Sequence, residues 1–450
     1  MFIFRNPSAG KDRYTFLTQT PVRKLILTLS VPTILSMLVT GIYNAADTFF
    51  VGRISTQATA AVGLVFSVMA IIQAFGFFCG QGSGTFLSRM LGAGDMKKAG
   101  EMASTGFLIS LLIGAVIAIA GNLLAVPLAR FLGAADTTMH DTLVYMRIIL
   151  IGAPFMTGQF VLNNQLRYQG SAFYSMIGLM TGAIINIGLD PLLMFGFRMG
   201  VAGAAAATVS GQIISFAVLL AGSRRGENIR PTIAGIRLNR FYIKELLNGG
   251  LPSLFRQGLA AIATMLLNNA AGMWGGDAAI AGMSIVTRVL MLTSSALIGF
   301  GQGFQPVSGF NYGAGLKKRV KEGFLFCLKY GTIFLSAAAL ICIIMPSPII
   351  AFFRNDPDVI AVGKVALRAQ AVSLPLMCPI VMANMLLQSI GEGFKASVSS
   401  SARSGIFFIP LILILPRLFG LFGVEITQAV ADILSAALAI PLAVQEIRKM

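Results

Sequence analysis

The sequence predicts an all-α polytopic membrane protein: twelve transmembrane helices in two six-helix lobes, related by an axis along the membrane normal, with both termini cytoplasmic. Three observations predict it. The 450 residues are 56% hydrophobic and only 11% charged, with a mean hydropathy of +0.81; soluble domains carry about 25% charged residues, and a wetted surface cannot be made from this composition. Apolar runs of about 20 residues, long enough to cross a hydrocarbon core, recur along the whole chain. Short glycine motifs repeat between the two halves at one fixed offset, as an internal duplication requires.

Residues 1–26 carry Arg5, Lys11, Arg13, Arg23 and Lys24 without a signal-peptide cleavage pattern, and read as a cytoplasmic tail. The first lobe, 27–222, holds spans near 27–49, 58–78, 105–126, 145–166, 173–197 and 203–220. A basic linker, 223–245, follows with Arg224, Arg225, Arg230, Arg237, Arg240 and Lys244. The second lobe, 246–450, holds spans near 253–273, 279–300, 324–345, 365–387, 396–415 and 424–444. Six spans separate tail from linker, so both lie on the side where bases collect. Gaps assigned to that side also hold Arg89, Lys97, Lys98, Lys317, Lys318, Arg319, Lys321, Lys395 and Arg403, whereas Asp136, Asp141, Asp277, Asp356 and Asp358 fall opposite.

The duplication rests on a common shift of 221 residues: "GQG" at Gly80–Gly82 and Gly301–Gly303, "GAGDMKK" from Gly92 and "GAGLKK" from Gly313, "GSAF" from Gly170 and "GEGF" from Gly391. Six spans is an even number, so the halves share one orientation in the bilayer. A substrate path is expected between the lobes or within one of them.

Several classes are excluded. The net charge of +17 is scattered through gaps rather than gathered on one module, so no nucleic-acid partner is expected. One histidine, His140, and four unpaired-looking cysteines, Cys79, Cys327, Cys342 and Cys378, leave little for a metal centre or a catalytic triad. No phosphate-cradling GxxxxGK occurs to signal ATP driving. The chain is read as a carrier rather than an enzyme, with the lipid bilayer as its surroundings, no cofactor, and a monomeric state.

Acids inside spans carry the functional reading. A carboxylate at the centre of a lipid-embedded helix costs about 2.5–3.5 kcal/mol on insertion scales, so it faces a cavity or a partner, and such acids serve in ion and proton paths. Asp47 ends the first span with Tyr43 one turn earlier and Asn44 beside it. Asp190 shares a helical face with Asn186, and Pro191 deprives the Ile187 carbonyl of its usual donor. With Thr208 in the next span, these oxygens suit either Na+ or a proton. The alternative is that each acid pairs with a base or steadies a helix break. Asp432 is a weaker candidate. Shifting Asp47 and Asp190 by 221 lands on Asn268 and Leu411, so a carboxylate mechanism would be concentrated in the first lobe. Arg256 and Arg288 are left to structural pairing, to Asp432 or to anionic substrates. Met180 and Gln212 lie near the acid-bearing segments.

"YNAADTFFVGR", "LSRMLGAGDMKKA", "NIGLDPLLMFGF" with "GVAGAAAATVSGQ", and "GFGQGFQPVSGFNYGAG" resemble the multidrug and toxic compound extrusion (MATE) transporters, in the branch of DNA-damage-inducible and staphylococcal efflux members. The resemblance runs in order over essentially the whole chain. It implies a multi-pass exporter of a bacterial inner membrane that moves amphiphilic, often cationic drugs outward against inward H+ or Na+. It also implies coupling through Asp47, Asn186, Asp190 and Thr208, which are the metal ligands if Na+ is used, with Tyr43 and Asn163 lining the same lobe. In the other large branch the second lobe carries cation-binding acids; here the seventh span has Arg256 and Gln257 instead. The rival transport reading is a lipid or lipid-linked-sugar flippase.

Overall fold

The computed structural model describes residues 12–450, apart from the side chains at positions 42, 44 and 45. Arg5, Lys11 and the Asn44 side chain therefore lie outside the described residues. Fifteen α-helices make up the described chain. The first lobe contains α1 (Arg13–Gln19), α2 (Val22–Gly52), α3 (Thr56–Gly92), α4 (Met96–Leu123), α5 (Ala125–Phe131), α6 (Asp136–Tyr168), α7 (Ala172–Pro191) and α8 (Val201–Ser223). The second contains α9 (Arg240–Gly313), α10 (Lys317–Ile344), α11 (Pro346–Phe353), α12 (Pro357–Ile390), α13 (Gly393–Ser401), α14 (Phe408–Phe419) and α15 (Leu421–Arg448).

Among the described residues, eleven helices are long and apolar enough to cross a membrane, and one of them is α9 with 74 residues. A straight helix of that length would run about 110 Å, several bilayers deep. It turns back at Gly276, whose φ of 63° and ψ of −158° are open to glycine alone at little cost. The two arms, 240–275 and 277–313, are two spans, which makes twelve among the described residues. The fold is a two-lobed bundle of membrane helices.

The repeated glycines lie inside helices rather than in gaps. Both GQG segments are buried within α3 and the second arm of α9. A Cβ on Gly82 would stand 2.3 Å from the Leu246 carbonyl oxygen, and one on Gly303 would stand 2.1 Å from Ser30 Oγ. Glycine is required there because backbones cross in contact, as small residues allow between helices in lipid. At the next repeat the contact is self-complementary. A Cβ on Gly92 would lie 2.0 Å from the Phe310 carbonyl oxygen, and one on Gly313 would lie 2.0 Å from that of Arg89. The shift of 221 carries Arg89 onto Phe310 and Gly92 onto Gly313, so this crossing sits on the axis relating the lobes.

Three features depart from the sequence reading. Arg89, counted with the loop bases, belongs to α3, is buried, and pairs with Glu245 at 3.0 Å across the lobes. Residues 13–19 form a helix whose Leu17 is fully buried and accepts a hydrogen bond from Asn311 Nδ2 at 3.1 Å. Two short helices, α5 and α11, follow the third span of each half in matching positions. They are too short to cross a membrane and present Phe131 and Phe352 almost wholly exposed, as amphipathic segments lying along an interface do. The four cysteines are free and buried, as small apolar side chains.

The segment between α8 and α9 is held against the first lobe by its own backbone. Thr232 N–H donates to Ser104 Oγ at 3.0 Å, Arg237 N–H to Thr105 Oγ1 at 2.9 Å, and Ile229 N–H to Gln169 Oε1 at 2.6 Å.

Candidate functional site

Pro191 has no N–H for the preceding turn, and the helix widens at once into a π turn, Leu192–Gly196, before α8 begins. Such wide turns inside helices recur at functional sites. The break places Asp190, fully buried, at the end of α7, with Asn186 one turn before it. Asn186 Nδ2 lies 3.5 Å from Asp190 Oδ1 and 3.4 Å from Thr208 Oγ1 of α8. Asp47, on α2, is 7% exposed and close enough to Asp190 for their charges to interact. No base pairs with either acid among the described ion pairs.

The acceptors in this group exceed the donors. Asp47 Oδ1, Asn186 Oδ1 and Asp190 Oδ2 are buried without a hydrogen-bond partner. Orphaned buried oxygens are costly, and a proton or a small cation is what would satisfy them. Tyr145 of α6 is fully buried, and its hydroxyl is also without a hydrogen-bond partner; the sequence reading missed it, since one tyrosine at the start of a span carries no signal.

Next to Asn186 and Thr208 lies an open cavity with about 680 Å³ of empty space in the first lobe; neither Asp47 nor Asp190 is among its described lining residues. Tyr43, Asn163, Asn186, Thr208 and Gln212 line it, whereas Met180 is half-buried off its wall. Asn163 Nδ2 donates to Ser175 Oγ at 2.6 Å, which fixes the amide against α7. Gln73 of α3 and Gln159 of α6 also line the cavity and were missed. Each has a lining partner four residues on, Phe77 and Asn163, so i, i+4 pairing of polar and aromatic residues within a span was the signal available.

The second lobe holds a larger cavity, with about 1440 Å³ of empty space. Arg256 lines it and approaches Asn384 Oδ1 at 3.4 Å. Arg288 is exposed on the second arm of α9, and is not among the residues lining the cavity. Asp432 pairs with neither. It accepts from Arg403 Nε at 2.7 Å and Nη2 at 3.3 Å, from Gln428 Nε2 at 2.8 Å and from Ser373 Oγ at 3.5 Å. Arg403, counted with the loop bases, stands in a π turn, Ala402–Ile406, in the cavity wall.

A family model described as MatE matches residues 32–192 and again 252–414. The multidrug export protein MepA of Staphylococcus haemolyticus (strain JCSC1435) is 27% identical over 432 residues, 95% of each chain, and MepA of Staphylococcus aureus (strain MW2) is 27% identical over 435 residues. A solved multidrug-resistance MATE transporter of the MOP superfamily, in an outward-facing conformation, superposes with a TM-score of 0.90 at 26% identity over 98% of both chains. A MOP superfamily transporter from Pyrococcus furiosus Vc1 (DSM3638) gives 0.90 at 26% identity, over 97% of this chain and 98% of that one. The family model recurs once in each half, where the glycine contacts are also duplicated, and the fold agrees along nearly the whole length with solved transporters of that kind. The chain therefore belongs to the MatE family.

Proposed function

We propose that this protein is a secondary active exporter of amphiphilic, often cationic compounds, driven by inward movement of H+ or Na+ and coupled through Asp47, Asn186, Asp190 and Thr208. The observation that carries the reading is the set of unpartnered buried oxygens on Asp47, Asn186 and Asp190, of which Asn186 lines a cavity in the first lobe. Support comes also from MepA, named a multidrug export protein, over 95% of both chains.

The chemistry follows from charge. With both acids ionised, the group holds two negative charges in a low-dielectric surrounding, where they repel strongly. A cationic amphiphile in the adjoining cavity is attracted to them. A proton or Na+ arriving from outside neutralises the same charge and removes that attraction. Cation and substrate then compete for one electrostatic well, and exchange follows if the two occupied states prefer different conformations. The π turn beside Asp190 and the glycine Gly188, which has open space around it, leave α7 room to bend. In this reading Tyr43, Asn163 and Gln212 contact substrate, both termini are cytoplasmic, and a single chain suffices.

The test is export of an ethidium-like dye from vesicles with Na+ and pH gradients imposed separately. One gradient alone should drive export, and Asp47→Asn should abolish it while the variant still reaches the membrane. Undiminished export by that variant would sink the coupling assignment; rescue of a wall-precursor defect without dye export would replace it with lipid-linked-sugar flipping.

A further inference from the structure

The second-lobe cavity carries bases in its wall, whereas the described lining of the first holds no charged residue. The second-lobe lining carries Arg256 and Arg403 and no acidic residue among those described. Asp432 neutralises Arg403 from behind at 2.7 Å. Among the described residues Arg256 has no such counterion: its polar contact is the Asn384 amide oxygen at 3.4 Å. Asn384 is itself held in place, donating through Nδ2 to the Ala396 carbonyl at 2.7 Å. Two further groups on the same wall are orphaned, Gln257 Nε2 and Ser399 Oγ. A guanidinium without a counterion, an unpartnered amide N–H and an unpartnered hydroxyl thus surround one space whose walls also include the apolar Leu290, Met377 and Phe408.

An uncompensated cation in a weakly polar surrounding is costly, and donors without acceptors add to the cost. The complement is an anion with several acceptor oxygens and an apolar body. The planar guanidinium fork suits carboxylate and phosphate oxygens, and the apolar residues of the same wall suit a hydrocarbon body beside the headgroup. We propose that the second-lobe cavity is a binding site for the anionic headgroup, carboxylate or phosphate, of an amphiphile, with Arg256 as its counterion and Gln257 and Ser399 as supporting donors. This goes beyond the export reading, since it concerns binding in the other lobe and needs no gradient.

The experiment measures binding of dodecyl phosphate, and of dodecyltrimethylammonium as its cationic counterpart, to the full chain in neutral detergent. Saturable binding of the phosphate is expected to depend on Arg256, whereas binding of the cation, which the first-lobe cavity takes in the export reading, should not change in Arg256→Gln. Arg256→Gln should weaken phosphate binding about tenfold or more, the scale of a lost charge-assisted hydrogen bond. Arg256→Lys should recover part of it, Gln257→Leu should weaken it several-fold with the charge intact, and Arg288→Gln, exposed on the second arm of α9, should leave it unchanged. Repeating the titration in phosphatidylcholine nanodiscs, with and without phosphatidylglycerol, distinguishes the sources: competition by phosphatidylglycerol identifies a lipid headgroup, and its absence a free amphiphile. No saturable binding of the phosphate by the unaltered chain overturns the proposal, as does equal binding by Arg256→Gln or equal loss in Arg288→Gln.

Discussion

Arg403 and Asp432 form a two-point ion pair, Nε to Oδ1 at 2.7 Å and Nη2 to Oδ2 at 3.3 Å, where the first lobe has two glycines in backbone contact. The shift of 221 carries Gly182 onto Arg403 and Gly211 onto Asp432. A Cβ on Gly182 would meet the Gly211 carbonyl oxygen at 2.7 Å, so α7 and α8 touch there. In the second lobe two long side chains occupy the same place between the π turn and α15, and the cavity beside them is the larger of the two, about 1440 Å³ against 680 Å³. At this pair the duplicated scaffold is unequal.

The ion pair predicts a non-additive stability cycle. Asp432 is 3% exposed, so Arg403→Met leaves a buried carboxylate without its charge partner, which should cost about 3 kcal/mol. Removing both, Arg403→Met with Asp432→Leu, should cost less than Arg403→Met alone, because no charge is then stranded. Thermal unfolding of the four proteins in one detergent measures the coupling; additive losses would show that the two groups do not depend on each other.

The first-lobe acids predict different outcomes for neutralisation and for deletion of neighbours. Asp190→Asn should abolish gradient-driven dye export, since it fixes the group in its neutral form. Thr208→Ala removes a hydroxyl 3.4 Å from Asn186 and should weaken the coupling cation about tenfold without abolishing export, as expected for loss of one neutral hydrogen-bonding group. Export against cation concentration separates a shifted midpoint from a lost maximum.

The glycine crossing predicts matched effects in the two halves. Gly92→Ala and Gly313→Ala each set a methyl group 2.0 Å from a carbonyl oxygen of the other lobe, and overpacking of this kind costs about 1–3 kcal/mol. Because the contact is self-complementary, the two variants should lower the melting temperature by similar amounts, and Gly94→Ala, with open space but φ of 79°, should act through local backbone strain alone. Unequal losses at Gly92 and Gly313 would place the axis elsewhere.

The twelve spans were legible because length and apolarity are local properties, and bends such as Gly276 do not alter them. Helices α5 and α11 were not, since seven or eight residues leave too short a pattern. Asp47 and Asp190 stood out through the cost of a carboxylate in lipid. Gln73, Gln159 and Tyr145 did not, because neutral polar side chains carry a smaller penalty and only packing shows which way they face. Arg403 was misplaced for a related reason: a base near the start of a span looks like the end of a loop until Asp432, 29 residues on, is seen beside it.

The segment between the lobes predicts a protease-sensitive switch of local stability. Its backbone is tied to α4 by Ser104 and Thr105, and each neutral hydrogen bond contributes about 1 kcal/mol net. Ser104→Ala with Thr105→Val removes both ties without touching either cavity. Opening should become more favourable by about 2 kcal/mol, so trypsin, which needs an extended and detached chain, should cut after Arg237 roughly 30-fold faster when opening is rapid relative to cleavage. Arg230 is no substitute as a reporter, since Pro231 follows it and blocks the bond. Unchanged cleavage would mean that the segment is held by its other ties, Ile229 N–H to Gln169 and Arg237 to Glu101, rather than by these two side chains, and a melting temperature lowered in step with cleavage would mean that the whole fold, not the segment, had loosened.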